Sequence, residues 1–185
     1  MNCDSARNVH TIGHSTRSID AFIELLNAHS IQRLVDVRRW PASRRYPHFN
    51  REAIAASLKA KGIEYLWRGD LGGFRKPQSD SPNIAWRVSA FRAYADFMLT
   101  NEFAQIMKEM ETIADEKRIA IMCAEAVPWR CHRQLLADAF IVRGWIVYDI
   151  IDDGDHEHKL PAFAQVEGTR IYYSGRKESR MEDRG

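Results

Sequence analysis

The chain is predicted to fold as a three-layer α/β domain, with a mostly parallel five-stranded sheet between helices on both faces. Along most of its 185 residues, short apolar runs alternate with stretches whose apolar residues recur at helical spacing. This alternation favours right-handed crossovers, which place helices on both faces of a parallel sheet. Because 45% of the residues are hydrophobic, the chain can form one sizeable core. We expect a single domain over residues 1–175.

Each element of this prediction has its own sequence signal. The apolar runs predict strands at residues 9–12, 34–37, 63–67, 119–123 and 146–151. Helical spacing predicts helices at residues 19–26, 51–61 and 134–143, and two helices within 87–116 that are divided near Thr100. Residues 40–50 and 69–83 are rich in Pro, Gly, Ser and Asp, and we interpret them as long ordered loops. The charged tail, residues 176–185, is expected to be disordered.

Composition and charge exclude several classes of protein. A formal net charge of +2 is too small to indicate a nucleic-acid or membrane partner by itself. The chain has no apolar run of the roughly 18 residues that cross a bilayer, and its first residues lack a hydrophobic signal region. A cytoplasmic protein without a membrane partner is therefore expected. Three cysteines, an odd number, favour reduced thiols over a disulfide framework.

Polar motifs follow four of the predicted strands. In open parallel sheets, ligands bind beyond the carboxyl ends of the strands, so these motifs are expected to converge on one site. The prediction therefore places the cysteines close to His14 and Arg38. The motif residues are Gly13, His14 and Ser15 after the first strand, Asp36, Arg38, Ser43 and Arg44 after the second, Gly72 and Gly73 after the third, and Cys123, Glu125, Cys131, His132 and Arg133 after the fourth.

The last motif fills a predicted strand-to-helix turn, where the positive helix end favours anions and thiolates. Cys123 or Cys131 could therefore be a nucleophile, with His132 as its acid or base. Equally, Cys123 could be one more small apolar residue at the end of a buried strand. Cys123, Cys131, His132 and His14 have the chemistry of metal ligands, but their spacing is not that of a paired-cysteine zinc site. We therefore predict no metal and no other cofactor.

Each of the two carboxylates, Asp36 and Glu125, has two possible interpretations. Asp36 and Arg38 share one face of a strand, because side chains alternate along it. Asp36 is either a general base or a buried partner of an arginine, whereas Arg38 and Arg133 are predicted to bind phosphate or carboxylate. Glu125 either contacts the substrate or orients an arginine. The remaining motif residues are assigned to ligand binding. Their glycines allow a ligand to approach the backbone closely, and their serine hydroxyls can form hydrogen bonds with it. Ser15 could equally serve as a helix cap.

Residues 38–51 contain five arginines and no acid, interleaved with aromatic residues. Positive charge beside stacking surfaces suits nucleic acids and nucleotides. A solvated basic loop packed by its aromatic residues is the alternative.

The motifs Thr11-x-Gly-x-Ser15, Asp36-x-Arg38, Pro41-x-Ser43, Leu71-Gly-Gly73 and Cys123-x-Glu-x5-Cys-His-Arg133 resemble the domain-of-unknown-function family 488. The resemblance extends from about Thr11 to Asp149, and it implies no activity. From the residues, the favoured function is an enzyme that acts on a small anionic, phosphate-bearing or nucleotide-like substrate through a Cys/His/Arg site. The alternative is a non-catalytic nucleic-acid or nucleotide-binding module that uses residues 38–51.

Overall fold

A computed structural model describes residues 7–175, in which helices cover both faces of one mixed sheet. The strands are β1 (Asn8–Gly13), β2 (Arg33–Asp36), β3 (Glu64–Trp67), β4 (Ile119–Cys123), β5 (Ile146–Ile150) and β6 (Asp155–Glu157). Their order is β3-β2-β4-β1-β5-β6, and all neighbours are parallel except β5 and β6. The predicted three-layer α/β class is confirmed.

The predicted number of strands is wrong, because the described residues form a six-stranded sheet. The additional strand β6 is short and fully exposed, and its sequence Asp-His-Glu lacks the apolar alternation that identifies a strand. A separate hairpin pairs β7 (Gln165–Glu167) with β8 (Arg170–Tyr172). The polar run 152–158, which contains His156 and His158, has the sequence of a solvated turn. This interpretation is wrong for His158, whose side chain is 8% exposed and lies between Asp138 and Asp149.

The helices divide between the two faces of the sheet. On one face lie α1 (Ile19–Ala28) and α2 (Arg51–Lys59), and on the other α3 (Ser89–Met98), α4 (Asn101–Glu116) and α5 (Arg133–Ile141). Alternate residues of β4 enter the two cores, Ile121 on the α3–α5 side and Met122 on the α1–α2 side. The Thr100 hydroxyl accepts a hydrogen bond from the backbone N–H of Phe103, and this N-cap separates α3 from α4 where the sequence predicts a break.

Two long loops leave the carboxyl ends of β2 and β3, as predicted. Residues 40–50 contain a 3-10 turn at Pro47–Phe49, and residues 69–83 contain another at Gly69–Leu71. The second loop is fastened to α3, because the carboxylate of Asp96 accepts a 2.8 Å hydrogen bond from the side chain of Asn83. The predicted tail, residues 176–185, lies outside the described residues. Within 7–175, no helix has the length and apolar character needed to cross a bilayer.

Candidate functional site

An open cleft of about 1140 Å³ lies at the carboxyl ends of the parallel strands. The segments that follow β1, β2, β3 and β4 all contribute to its wall, so the cleft brings the two cysteines together with His14 and Arg38. Of the predicted site residues, those in the wall are His14, Ser15, Arg38, Ser43, Gly73, Cys123, Glu125, Cys131 and His132. Gly13, Asp36, Arg44, Gly72 and Arg133 lie outside the wall.

Gly13 allows β1 to lie directly against the turn after β4. The backbone N–H groups of His14 and Ser15 donate to the carbonyls of Cys123 and Ala124, at 3.0 and 2.9 Å, and so extend the ladder beyond the strands. A Cβ atom at Gly13 would lie 1.6 Å from the carbonyl oxygen of Glu125. Gly13 is therefore required by packing, and its contribution to the site is indirect.

Arg133 is fully buried beneath this turn. Its Nη1 donates to the Cys123 sulfur, at 2.9 Å, and to the carbonyl of Glu125, while Nη2 donates to the carbonyl of Ala126 at 2.9 Å. Its Nε donates to the hydroxyl of Thr11 at 3.2 Å. Protein atoms therefore occupy most of the donors of this guanidinium. In the structure Arg133 holds the turn and the Cys123 sulfur in place, instead of facing the cleft as a ligand-binding arginine.

The pKa values of the two cleft cysteines are shifted in opposite directions. Burial opposes the Cys123 thiolate, but the hydrogen bond from Cys131 and the charge and hydrogen bond of Arg133 outweigh it and lower the pKa of Cys123 to about 7. The pKa of Cys131 is raised well above its ordinary value, first by its hydrogen bond to Cys123 and then by burial. Because the guanidinium of Arg133 lies 2.9 Å from the Cys123 sulfur, the first negative charge of the pair is favoured on Cys123.

His132 follows Cys131 in the same turn. Burial, and then the charges of Arg133 and Arg75, lower the pKa of His132 to about 4, so the imidazole is neutral near pH 7. Its Nδ1 lies 3.6 Å from the Cys131 sulfur, and its ring lies 4.9 Å from that of Tyr94. A neutral imidazole in contact with Cys131 can accept a proton, but it cannot supply positive charge.

Asp36 and Arg38 form a buried ion pair at the end of β2. The Nε and Nη2 of Arg38 donate to the Asp36 carboxylate at 2.9 and 2.6 Å, and the Tyr65 hydroxyl donates to the same carboxylate at 2.7 Å. The remaining nitrogen, Nη1 of Arg38, lies 3.3 Å from Nε2 of His14 at the cleft wall. The position of Asp36 matches its interpretation as the partner of an arginine, because it is fully buried and does not line the cleft.

His14 is held between Arg38 and the backbone. Its Nδ1 lies 3.0 Å from the carbonyl of Ser15, so we assign the ring proton to Nδ1 and leave Nε2 as the acceptor for Arg38. The ring stacks on Phe49, with centroids 4.3 Å apart. Burial, followed by the charge of Arg38, lowers the pKa of His14 to about 4. His14 therefore orients Arg38 as a neutral acceptor.

The other predicted ligand-binding residues differ in position. The Ser43 hydroxyl accepts from the backbone N–H of Tyr46 at 3.0 Å, which shapes the loop after β2. A Cβ atom at Gly72 would lie 2.7 Å from Cβ of Arg39, so Gly72 lets the two loops pack together, whereas Gly73 makes only ordinary contact with His132. Arg44 is exposed outside the cleft wall.

Several cleft residues are absent from the sequence-based assignment. Arg39, Arg45, Arg75 and Arg130 join Arg38, so five arginines and one carboxylate, that of Glu125, line the cleft. The cleft wall also contains two largely exposed aromatic rings, those of Trp40 and Phe74, whose centroids are 5.1 Å apart. Arg39, Trp40 and Arg45 belong to residues 38–51, whose charge and aromatic residues the sequence assigns to the alternative binding function. Phe74, Arg75 and Arg130 lie within two residues of the predicted motifs.

The predicted metal-capable set does not form a metal site in the described residues. The group of His, Cys, Asp and Glu donors that comes close enough there to hold an ion is His10, His29 and Asp155, which lie outside the cleft wall.

The fold and this cleft define an α/β protein whose candidate site, with Cys123 at its wall, lies at the carboxyl ends of parallel strands. The family model for the domain of unknown function DUF488 matches residues 18–140, and the chain belongs to this family. The matched region contains the cysteine motif, while the Thr11–Ser15 motif precedes it. Searches of curated proteins and of solved structures give no match.

Proposed function

We propose that the protein is an enzyme that acts on a small anionic substrate, phosphate-bearing or nucleotide-like, through the thiolate of Cys123. The observation that carries the proposal is the position of Cys123, whose sulfur accepts a 2.9 Å hydrogen bond from Arg133 at the wall of a cleft lined by five arginines. This contact helps to lower the pKa of Cys123 to about 7. A thiolate that is available near pH 7 can act as a nucleophile, and guanidinium groups bind phosphate or carboxylate through two parallel hydrogen bonds.

The cleft offers separate surfaces for the two parts of such a substrate. Arg38, which is oriented by Asp36 and His14, lines the cleft, and Arg45 and Arg130 add positive charge. The rings of Trp40 and Phe74 provide apolar faces on which a base can stack. These features favour a nucleotide-like substrate over a bare inorganic anion.

In the proposed reaction, the Cys123 sulfur forms a bond to the electrophilic centre of the substrate, and the leaving group departs with the electron pair of the broken bond. Water then attacks the thio-intermediate and releases the second product, and the electron pair of the sulfur bond returns to Cys123. Glu125, exposed at the cleft wall, accepts the proton of that water. Cys131 and Arg133 position and stabilise the thiolate, and His132 contacts Cys131.

The test compares two alkylating probes at Cys123, anionic iodoacetate and neutral iodoacetamide, with free cysteine as the reference thiol. If the cleft binds anions beside the thiolate, the iodoacetate rate at Cys123 saturates with concentration and is slowed by added AMP, while the iodoacetamide rate rises linearly. A ratio of iodoacetate to iodoacetamide rates equal to that of free cysteine, with no effect of AMP, would contradict the proposal.

Arginine variants refine this test. Replacing both Arg45 and Arg130 by Gln is expected to reduce the iodoacetate rate while leaving the iodoacetamide rate unchanged, because both side chains line the cleft. The matched control is Arg44→Gln, since Arg44 belongs to the same basic segment but lies outside the cleft wall. An equal effect of Arg44→Gln would show that only general surface charge attracts the probe.

A second candidate function is non-catalytic binding of nucleic acid by residues 38–51. The exposure of Arg39, Arg44 and Arg45 beside Trp40, which is 64% exposed, favours it. In that case Arg44→Gln should weaken the binding of a single-stranded oligonucleotide and lower the salt slope by about one.

Both cleft cysteines are free thiols in the described residues. A reducing compartment keeps such thiols free, so a cytoplasmic location is part of this proposal.

A further inference from the structure

A cluster of side chains whose chemistry suits metal ligation lies outside the cleft wall. It consists of His10 on β1, His29 at the C-cap of α1 and Asp155 on β6. One donor atom from each of the three residues lies within 4.8 Å of the other two. The sheet order creates this cluster, because β1 and β6 flank β5.

One ring nitrogen of His10 has no hydrogen-bond partner. The residue is only 3% exposed, and its Nδ1 is buried without a hydrogen-bond partner in the structure. Buried polar atoms are nearly always paired, because an unpaired one loses its hydration without compensation.

The other two members are already arranged as neighbouring ligands. Nδ1 of His29 lies 3.0 Å from the carboxylate of Asp155, and Nε2 of His29 lies 3.3 Å from the carbonyl of Asp152. The side chain of His29 is 5% exposed, whereas that of Asp155 is 61% exposed. A cation can therefore reach the buried imidazoles from the solvent side of β6.

We propose that His10, His29 and Asp155 bind a divalent transition-metal ion, with Zn²⁺ as the best match. Two imidazoles and one carboxylate form a common zinc ligand set that leaves a position for water, whereas Mg²⁺ and Ca²⁺ prefer oxygen ligands alone. The guanidinium of Arg118, which donates to the carbonyl of His29 at 3.5 Å, is the nearby charge that opposes the ion. The bound ion links β1, α1 and β6, and so fastens the exposed edge strand to the core.

The test is a calorimetric titration of the full-length, chelator-treated protein with Zn²⁺. The wild type is expected to bind one equivalent, and His10→Gln and Asp155→Asn are each expected to lose about tenfold or more in affinity. His156→Gln is the matched control, because His156 neighbours Asp155 on β6 but pairs with Asp152. A variant with serine at both Cys123 and Cys131 should keep the wild-type affinity.

Cobalt provides a second readout, since Co²⁺ at this site should give visible d–d absorption without a thiolate-to-cobalt charge-transfer band. Circular dichroism of each metal-free variant checks its folding, and if His10→Gln does not fold, the exposed Asp155→Asn decides. The proposal is overturned if the wild type binds no Zn²⁺, if Asp155→Asn binds as tightly as the wild type, or if binding is lost with the cysteines.

Discussion

Gly13 illustrates how one residue fixes the geometry of the cleft. Its missing side chain brings β1 against the turn after β4, which places His14 beside Cys123 in the cleft wall. Any larger residue must displace the carbonyl of Glu125, which Arg133 also binds. The requirement is steric, because Gly13 is part of a strand and needs no unusual backbone conformation.

We predict that Gly13→Ala lowers the free energy of unfolding by about 3 kcal/mol, because the new methyl group overlaps the carbonyl oxygen of Glu125. Gly73→Ala is the control, since its Cβ would meet only His132, at an ordinary 3.5 Å, and should change stability by less than about 0.5 kcal/mol. Urea denaturation measures both values. Equal stability of the two variants would contradict the packing described for β1.

The sequence predicts which residues have reactive or charged side chains better than it predicts where those side chains point in the fold. Cys123, Cys131 and His132 were identified by their density in a strand-to-helix turn, and they lie in the cleft wall. Arg133 was grouped with them as a ligand-binding residue, but its guanidinium is turned inward to backbone carbonyls. The positions of those carbonyls depend on the path of the turn in the folded protein, which no local sequence pattern specifies.

At the scale of an element, the turn between β4 and α5 depends on Arg133. Pro128–Arg130 forms a 3-10 turn, and the carbonyls before it at Glu125 and Ala126 have Arg133 as their donor. The same guanidinium donates to the Cys123 sulfur. Folding of this turn and activation of the thiol therefore rest on one side chain.

We predict that Arg133→Met destabilises the protein by about 3 kcal/mol, because two carbonyls and Thr11 lose a buried donor, and that it raises the pKa of Cys123. Arg130→Met is the control, since Arg130 is exposed in the same turn and should change stability by less than about 0.5 kcal/mol. Denaturation and alkylation rates check the two effects. Equal effects of the two variants would exclude the proposed role of Arg133.

The elements themselves were predictable where they are apolar. β4 is a continuous apolar run buried in the sheet, β5 is apolar except at Asp149, and Thr100 separates α3 from α4 as the sequence predicts. β6 was missed because an exposed edge strand needs backbone pairing alone and no apolar side chains. The position of the His158 side chain could not be predicted, because its partners Asp138 and Asp149 are distant in sequence and come close only in the fold.

At the scale of the whole molecule, a buried polar network connects Arg133, at the start of α5, with Asp138 further along the same helix. Nε of Arg133 donates to Thr11, and Thr11 donates to Asp149. His158 lies between Asp149 and Asp138, at 2.7 and 3.0 Å. Burial opposes the charged ring, but its hydrogen bonds to the two carboxylates raise the pKa of His158 to about 9.

This raised pKa predicts how stability depends on pH. The protonated ring stabilises the folded state fully below the ordinary histidine pKa of 6.5, and this stabilisation is lost as the pH rises through about 9. The difference in unfolding free energy between wild type and His158→Gln should therefore shrink by about 3 kcal/mol from pH 6.5 to pH 9.5. His156→Gln, at an exposed position of the same segment, is the control for general effects of the substitution. A difference that is independent of pH would contradict a charged His158.

The central claim is that the fold makes Cys123, and not Cys131, the reactive thiol of the cleft. The most direct test is the pH dependence of iodoacetamide alkylation at each cysteine, resolved by mass spectrometry of the native protein. The rate at Cys123 should reach half its maximum near pH 7, while Cys131 stays unreactive until well above its ordinary pKa. A midpoint for Cys123 at or above the ordinary value of 9, or earlier reaction of Cys131, would contradict the account.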